Sequence, residues 1–193
     1  MLPTSPARRR APALSAQDRR SAIVEATVPL LLEHGEQVTT RQIADAAGIA
    51  EGTIFRVFTD KDALIDAAIN AALDPTPVED AVAAIDGTLP LTDLVIKVVQ
   101  ISQRRVDHVW RVLSGVGNRA HDHKRLLSAE SVALTGLFEA RRDELRVAPR
   151  AASQALRALT FAMSHPVMVE RPATPREIAQ LFLHGVSAKG EPC

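Results

Sequence analysis

Tyrosine is absent from this chain, and one tryptophan and five phenylalanines are its only aromatic residues. The core must therefore be built from Ala, Leu, Val and Ile, and a site that stacks large flat ligands has little to draw on. The single cysteine, Cys193, leaves no partner for an intrachain disulfide and no Cys–His cluster for zinc. No apolar run is long enough to span a bilayer. The early arginines are followed by no secretory apolar segment, so a cytoplasmic location is expected. Charge of one sign is not in excess either, because 23 basic residues balance 23 acidic ones.

The usual signatures of catalysis are missing as well. There is no Gly-rich phosphate loop, no nucleophile elbow and no His-Glu-x-x-His helix. His121-Asp122-His123 is the nearest thing to a metal motif. On a helix, residues two apart point to nearly opposite sides, so the two imidazoles do not chelate one ion there, whereas in a loop they could. His108, His165 and His184 stand alone and read as packed or helix-end residues. Asp143-Glu144 after Arg141-Arg142 reads as a solvated helix face with local ion pairs. No catalytic residue, metal or cofactor is expected, and no enzyme.

What the chain does have is concentrated between Thr39 and Ile69, TTRQIADAAGIAEGTIFRVFTDKDALIDAAI. Ile43, Ala44 and Ala47 make one helical apolar face. Thr39 is placed to cap that helix, because its hydroxyl can accept from free backbone N–H groups. Gly48 interrupts the pattern with a residue that tolerates the left-handed backbone of a sharp turn. Ile49 plugs the turn. A second short helix is expected from about Glu51 to Val57, with Ile54 and Phe58 inward. That phasing puts Gly52, Thr53, Phe55 and Arg56 outward or on the flanks. A helix-turn-helix of this kind lays its second helix in the major groove of DNA. Gly52 permits close backbone approach, Thr53 suits a phosphate or a thymine methyl, and Arg56 suits phosphate or guanine. Thr40 and Arg41, at the start of the first helix, are placed to meet a phosphate.

Thr39 to Phe58, with Gly35 upstream and Lys61 downstream, resembles the N-terminal DNA-binding domain of the TetR family of transcriptional regulators. The match lies in a glycine, a Thr pair, Ile-Ala, Ala-Gly, Gly-Thr, an aromatic, a phenylalanine and a following lysine, and covers roughly residues 15–70. The resemblance implies a homodimer that binds a double-stranded operator and is released by a small-molecule effector. It also implies a phosphate contact from Lys61. Three positions depart from the pattern. The family often has lysine at Glu51, tyrosine at Phe55, and histidine or tyrosine at Val57, residues that usually meet phosphates. A second reading follows from these departures: a helical dimeric ligand-binding or scaffold protein that has lost DNA binding.

Charge placement bears on both readings. From Ser21 to Leu73 there are three basic residues against eight acidic ones, a net of −5. Residues 1–20 carry five arginines against Asp18, a net of +4. Since DNA affinity rests largely on phosphate neutralisation, the basic arm at 1–14 is expected to supply nonspecific attraction while lacking order of its own.

The fold expected is all-α, with about nine helices. A three-helix helix-turn-helix domain spans 15–73, and a larger helical bundle for ligand binding and dimerisation spans 78–188. The first helix starts after Ser15, with Asp18 in the capping position, and ends at Gly35. Ile23, Ala26, Leu30 and Leu31 are its stripe, and Pro29 should kink it. Thr59 should cap the helix at 61–73, and Asp74-Pro75-Thr76-Pro77 marks the boundary. Helices are then expected at 78–85, at 91–116, and at 119–146 as one long or broken helix with Leu126, Leu127, Leu134, Leu137 and Phe138 inward. Two more follow, at 150–164 and from Pro175, the last with a Thr174–Glu177 capping box. Ala151, Ala155, Ala158 and Ala162 recur at helical spacing, which suits either a close helix contact within the core or, with Ile178 and Phe182, a dimer interface. Bulky or polar candidates for an effector pocket are Arg104, Trp110, Leu113, His121, Phe138, Phe161 and Met163.

Overall fold

Helix follows helix along the whole described chain. The computed structural model describes residues 15–117 and 130–186. It contains α1 Ala16–His34, α2 Thr40–Ala47, α3 Glu51–Ile54, α4 Lys61–Ala72, α5 Thr76–Ala83, α6 Leu91–Gly115, α7 Val132–Glu139, α8 Pro149–Ser164 and α9 Pro175–Val186. Short 3-10 turns occupy Gly35–Gln37 and Arg142–Glu144. There is no strand among the described residues, nor a helix long and apolar enough to cross a membrane. The basic arm, Leu126, Leu127, Cys193 and the His121-Asp122-His123 motif lie outside the described residues.

Two apolar clusters organise the helices. The first gathers Ile23 and Leu31 of α1, Ile43 of α2, Ile54, Phe58, and Leu64, Ile65 and Ile69 of α4. The second gathers Leu94, Val95, Val98 and Val99 of α6 with Phe138, Leu156, Ile178 and Phe182. Each such buried side chain contributes about 1.5–3 kcal/mol of transfer free energy, so these two centres set the architecture. α6 serves both. Its first half lies in the second cluster, while Val109, Leu113 and the following Val116 pack on the first.

α1 starts where expected, with Ser15 Oγ accepting from the Asp18 N–H at 3.0 Å. Its stripe differs in one respect. Val24 and Thr27 are buried, whereas Ala26 and Leu30 are only partly so. Thr27 enters an apolar core without loss because its hydroxyl donates to the Ile23 carbonyl at 2.7 Å. The helix is assigned without a break through Pro29, which lies on the exposed face. The carbonyl deprived of its donor there belongs to Glu25, also on the exposed face, where water can serve it.

α1 and α6 meet at a pair of glycines. Gly35 has φ of 57°, and a Cβ on it would lie 2.4 Å from the Gly115 carbonyl oxygen. Glycine is required here on two counts, backbone conformation and contact distance. The α4–α5 connection is fixed by Asp74, whose Oδ1 accepts from the Thr76 N–H at 3.0 Å and the Thr76 hydroxyl at 2.8 Å. These bonds hold the Asp74 carboxyl below its ordinary value.

Several expected details change. α4 is capped by Asp60, whose Oδ1 accepts from the Ala63 N–H at 2.7 Å, not by Thr59. Asp60 directly precedes the helix and reaches its third N–H. α5 starts at Thr76 and α8 at Pro149, each slightly earlier than the pattern suggested. Of the long or broken helix expected over 119–146, the described part is broken: α7 ends at Glu139 and the chain turns through Arg142–Glu144. Arg141 is no solvated surface charge. It pairs with Glu144 at 2.9 Å and donates to the carbonyls of Gly87 and Leu89, clamping the loop before α6. On α8 the buried positions are Pro149, Ala152, Ser153, Leu156 and Thr160, whereas Ala151, Ala155 and Ala158 are exposed. Ile178 and Phe182, expected on a pairing face, are 0% and 4% exposed in the protomer's own core. Leu181, a residue away in helical phase, is the exposed apolar side chain there.

Candidate nucleic-acid interface and effector cavity

The helix-turn-helix is built from local chemistry. Thr39 and Gln42 form a reciprocal capping box: the Thr39 N–H donates to Gln42 Oε1 at 2.8 Å and the Gln42 N–H to Thr39 Oγ1 at 3.2 Å. Gly48 is left-handed, with φ of 66° and ψ of 33°, and ends α2. α3 is shorter than expected, Glu51–Ile54, and continues as a tightened turn. The N–H groups of Val57 and Phe58 both donate to the Ile54 carbonyl, at 2.9 Å each. Ile54 and Phe58 are 0% and 2% exposed. The guanidinium of Arg20 lies 4.3 Å from the centre of the Phe58 ring, a contact that covers the core edge.

Fixing Ile54 and Phe58 inward fixes the other faces. Gly52, Phe55 and Arg56 are exposed and Thr53 is half-buried, all on the outer side of one short segment. A Cβ on Gly52 would meet nothing within 4 Å. The protein itself therefore does not need glycine there. Arg41 is also exposed. The remaining candidates have internal partners. The Thr40 hydroxyl donates to the Glu51 carboxylate across the turn, which ties α2 to α3 and gives the misplaced acid a structural task. Lys61 Nζ donates to the Glu36 carbonyl at 2.9 Å, closing the corner between α1 and α4. Its ammonium keeps two further donors.

A cavity of about 660 Å³ lies in the second bundle, between α5, α6, α7 and α8. Trp110, Leu113 and Phe161, three of the pocket candidates, line it. Phe138 does not, being fully buried in the second core, and Met163 packs against that core. Arg104 points outward, with Nε donating to the Gln100 carbonyl at 3.3 Å. The neighbouring Arg105 lines the cavity instead. His121 lies outside the described residues. Sequence reasoning missed Arg105, Ser102, Arg157 and Thr160. The signal available was the stripe Val98, Ser102, Arg105, Val109, Leu113 at helical spacing along α6.

A small helical unit with an outward polar segment on a buried anchor, joined to a larger helical bundle with a cavity, defines an all-helical fold of the helix-turn-helix class. Residues 23–68 match the family described as bacterial regulatory proteins, tetR family. The whole structure is similar to a TetR family transcriptional regulator from Pseudomonas syringae pv. tomato, with a TM-score of 0.59 at 17% identity, over 91% of this chain and 100% of that one. It is similar to NalD, the secondary repressor of the MexAB-OprM multidrug efflux pump in Pseudomonas aeruginosa, with a TM-score of 0.55 at 23% identity, over 90% and 100%. A transcriptional regulator from a Rhodococcus species gives 0.59 at 13% identity, over 86% and 97%. The chain has the all-α fold of a TetR-family transcriptional regulator, with that family's N-terminal helix-turn-helix domain.

Proposed function

We propose that this protein is a homodimeric, ligand-responsive transcriptional repressor acting in the cytoplasm. Residues 15–73 form its DNA-binding domain, and the helices from 78 to 188 its effector and dimerisation domain. The observation that carries the reading is the outward set Gly52, Thr53, Phe55 and Arg56 held over buried Ile54 and Phe58. Thr39, Arg41 and the spare donors of Lys61 flank that set on the same unit and take phosphates. Thr40 joins them by giving up its bond to Glu51.

Two copies pair through the outward face of α8, where Ala151 and Ala155 allow close approach. Pairing places two recognition segments about one DNA turn apart, roughly 34–36 Å, which suits a near-palindromic operator. A small molecule in the cavity favours a state in which α4 is displaced and the spacing changes. Ligand can do so only by preferring the released state. Titration of the purified protein into labelled DNA flanking its own coding region tests the reading. Saturable binding to an inverted repeat is expected. Equal, weak, salt-sensitive binding to every fragment supports the scaffold reading instead.

A further inference from the structure

The walls of the cavity are mostly apolar: Val78, Val82, Val98, Val106, Val109 and Leu134 supply much of them. Such a wall selects a ligand with an apolar body. The polar groups among them are unevenly committed. Of the two carboxylates, Glu130 is paired with Arg150 at 2.9 Å, and Glu79 accepts from the Ala133 N–H at 2.8 Å. Of the two guanidiniums, neither has a carboxylate within ion-pair distance among the described residues. Arg157 forms no ion pair there, and Arg105 spends its donors on neutral carbonyls, Ala72 at 2.9 Å and Leu73. Burial pushes Arg105 below its ordinary value, with Asp74 opposing from a distance. Thr160, 1% exposed, also lines the cavity, and its hydroxyl has no partner.

We infer, on the strength of the effector reading of this cavity, that its ligand is a monoanionic amphiphile, a carboxylate on an apolar body, whose anion takes Arg105 from the carbonyls of Ala72 and Leu73. A cation here faces two guanidiniums and, among the described residues, finds Glu130 paired with Arg150 and Glu79 held by a backbone N–H. A neutral molecule leaves Arg157 without a carboxylate at ion-pair distance among the described residues and Arg105 with only the more distant Asp74. A carboxylate matches the planar fork of arginine, and charge-assisted bonds are about twice as strong as neutral ones.

The consequence is regulatory. The carbonyls of Ala72 and Leu73 are the unsatisfied acceptors at the C-terminal end of α4. Arg105 satisfies them from α6, and so ties the helix-turn-helix unit to the cavity wall. The two terminal nitrogens that make this clasp are the pair a carboxylate engages end-on. A carboxylate seated end-on and the clasp therefore exclude one another. Binding frees the end of α4, and conversely a firm clasp opposes binding, with the same coupling free energy in both directions.

Calorimetric titration of the full chain with decanoate, methyl decanoate and decylammonium at fixed ionic strength tests this. Decanoate should bind about tenfold or more tightly than either isostere. Arg105→Gln should abolish that preference while methyl decanoate still binds. Arg105→Lys, which keeps charge but loses the fork, should retain part of it. Decanoate should also speed amide hydrogen exchange at 69–74 in the wild type and have no such effect in Arg105→Gln. Equal affinity for all three probes, tighter binding of a neutral or cationic one, or a preference for decanoate that survives Arg105→Gln overturns the inference and leaves the effector reading standing. Binding of none of the three, by heat and by Trp110 fluorescence, overturns the inference as well.

Discussion

At the scale of single residues, the account turns on which side chains are free to act outward. Ile54 and Phe58 are locked inside, and that alone exposes Arg56. Because it makes no core contact, Arg56→Ala should leave thermal stability unchanged. Specific operator affinity should fall by about 1–3 kcal/mol. Anisotropy titrations of both proteins check this, and full affinity in the variant removes Arg56 from the contact set. Much of this was legible in the sequence, because a helix-turn-helix is specified by near neighbours. Thr39 caps a helix three residues ahead, Gly48 turns the chain where it stands, and Ile54 and Phe58 share one helical face. What was not legible depends on partners far along the chain. Lys61 finds the Glu36 carbonyl, Arg141 the carbonyls of Gly87 and Leu89, and Arg105 those of Ala72 and Leu73. Composition and spacing carry no signal for a side chain meeting a distant backbone carbonyl. For the cavity the error was one of phase: Arg104 and Arg105 differ by about 100° around α6, and only one of them faces inward.

At the scale of elements, three helix starts stand where the sequence put them, while other ends and some interiors shift. Ser15, Thr39 and Thr174 all cap as their sequences suggested. α9 opens with a reciprocal box, in which the Thr174 N–H donates to Glu177 Oε2 at 2.6 Å and the Glu177 N–H to Thr174 Oγ1 at 3.2 Å. The bonds from Thr174, with help from Arg171, bring the Glu177 carboxyl down to about 2. A carboxylate whose folded value is depressed contributes stability above its unfolded value and loses it as pH falls through the folded one. The gap in stability between wild type and Glu177→Ala should therefore be constant above about pH 5 and close between pH 4.5 and 2. Urea melts across that range measure it; a gap independent of pH means the box contributes no charged hydrogen bond. The α1–α6 junction makes a sharper demand. Gly35→Ala forces a side chain into positive φ and onto the Gly115 carbonyl. It should destabilise the fold by about 1–3 kcal/mol from the backbone conformation alone. An unchanged urea midpoint means the two helices separate without penalty. Pro29 shows the limit of the sequence rules, since an interior proline is tolerated when the carbonyl it orphans faces water.

At the scale of the whole molecule, the acidic balance of 21–73 against the basic balance of 1–20 needs a partner that resolves it. A polyanion does so if the arm travels with the recognition segment. Deleting residues 1–14 should weaken operator binding and flatten its salt dependence, because fewer phosphates are neutralised. The same slope and affinity in a salt series exclude that role. Pairing of copies makes its own prediction on α8. Ala155→Arg adds bulk and charge to an outward, close-packing position, so sedimentation should shift from the mass of two chains toward one. A dimer that persists places the pairing surface elsewhere. Asp74-Pro75-Thr76-Pro77 reads as a break between two helical units, yet α6 packs on both apolar clusters. That bridging is invisible to a reading that looks for breaks in the pattern. It also connects the cavity to the recognition segment through ordinary packing.

Selection of genomic DNA fragments by the purified full-length protein addresses most directly the claim that paired copies hold Thr53 and Arg56 against successive major grooves. The account predicts enrichment of a discrete inverted repeat whose half-sites are centred about one helical turn apart. Fragments recovered without a shared sequence, or a single unpaired half-site, would contradict it.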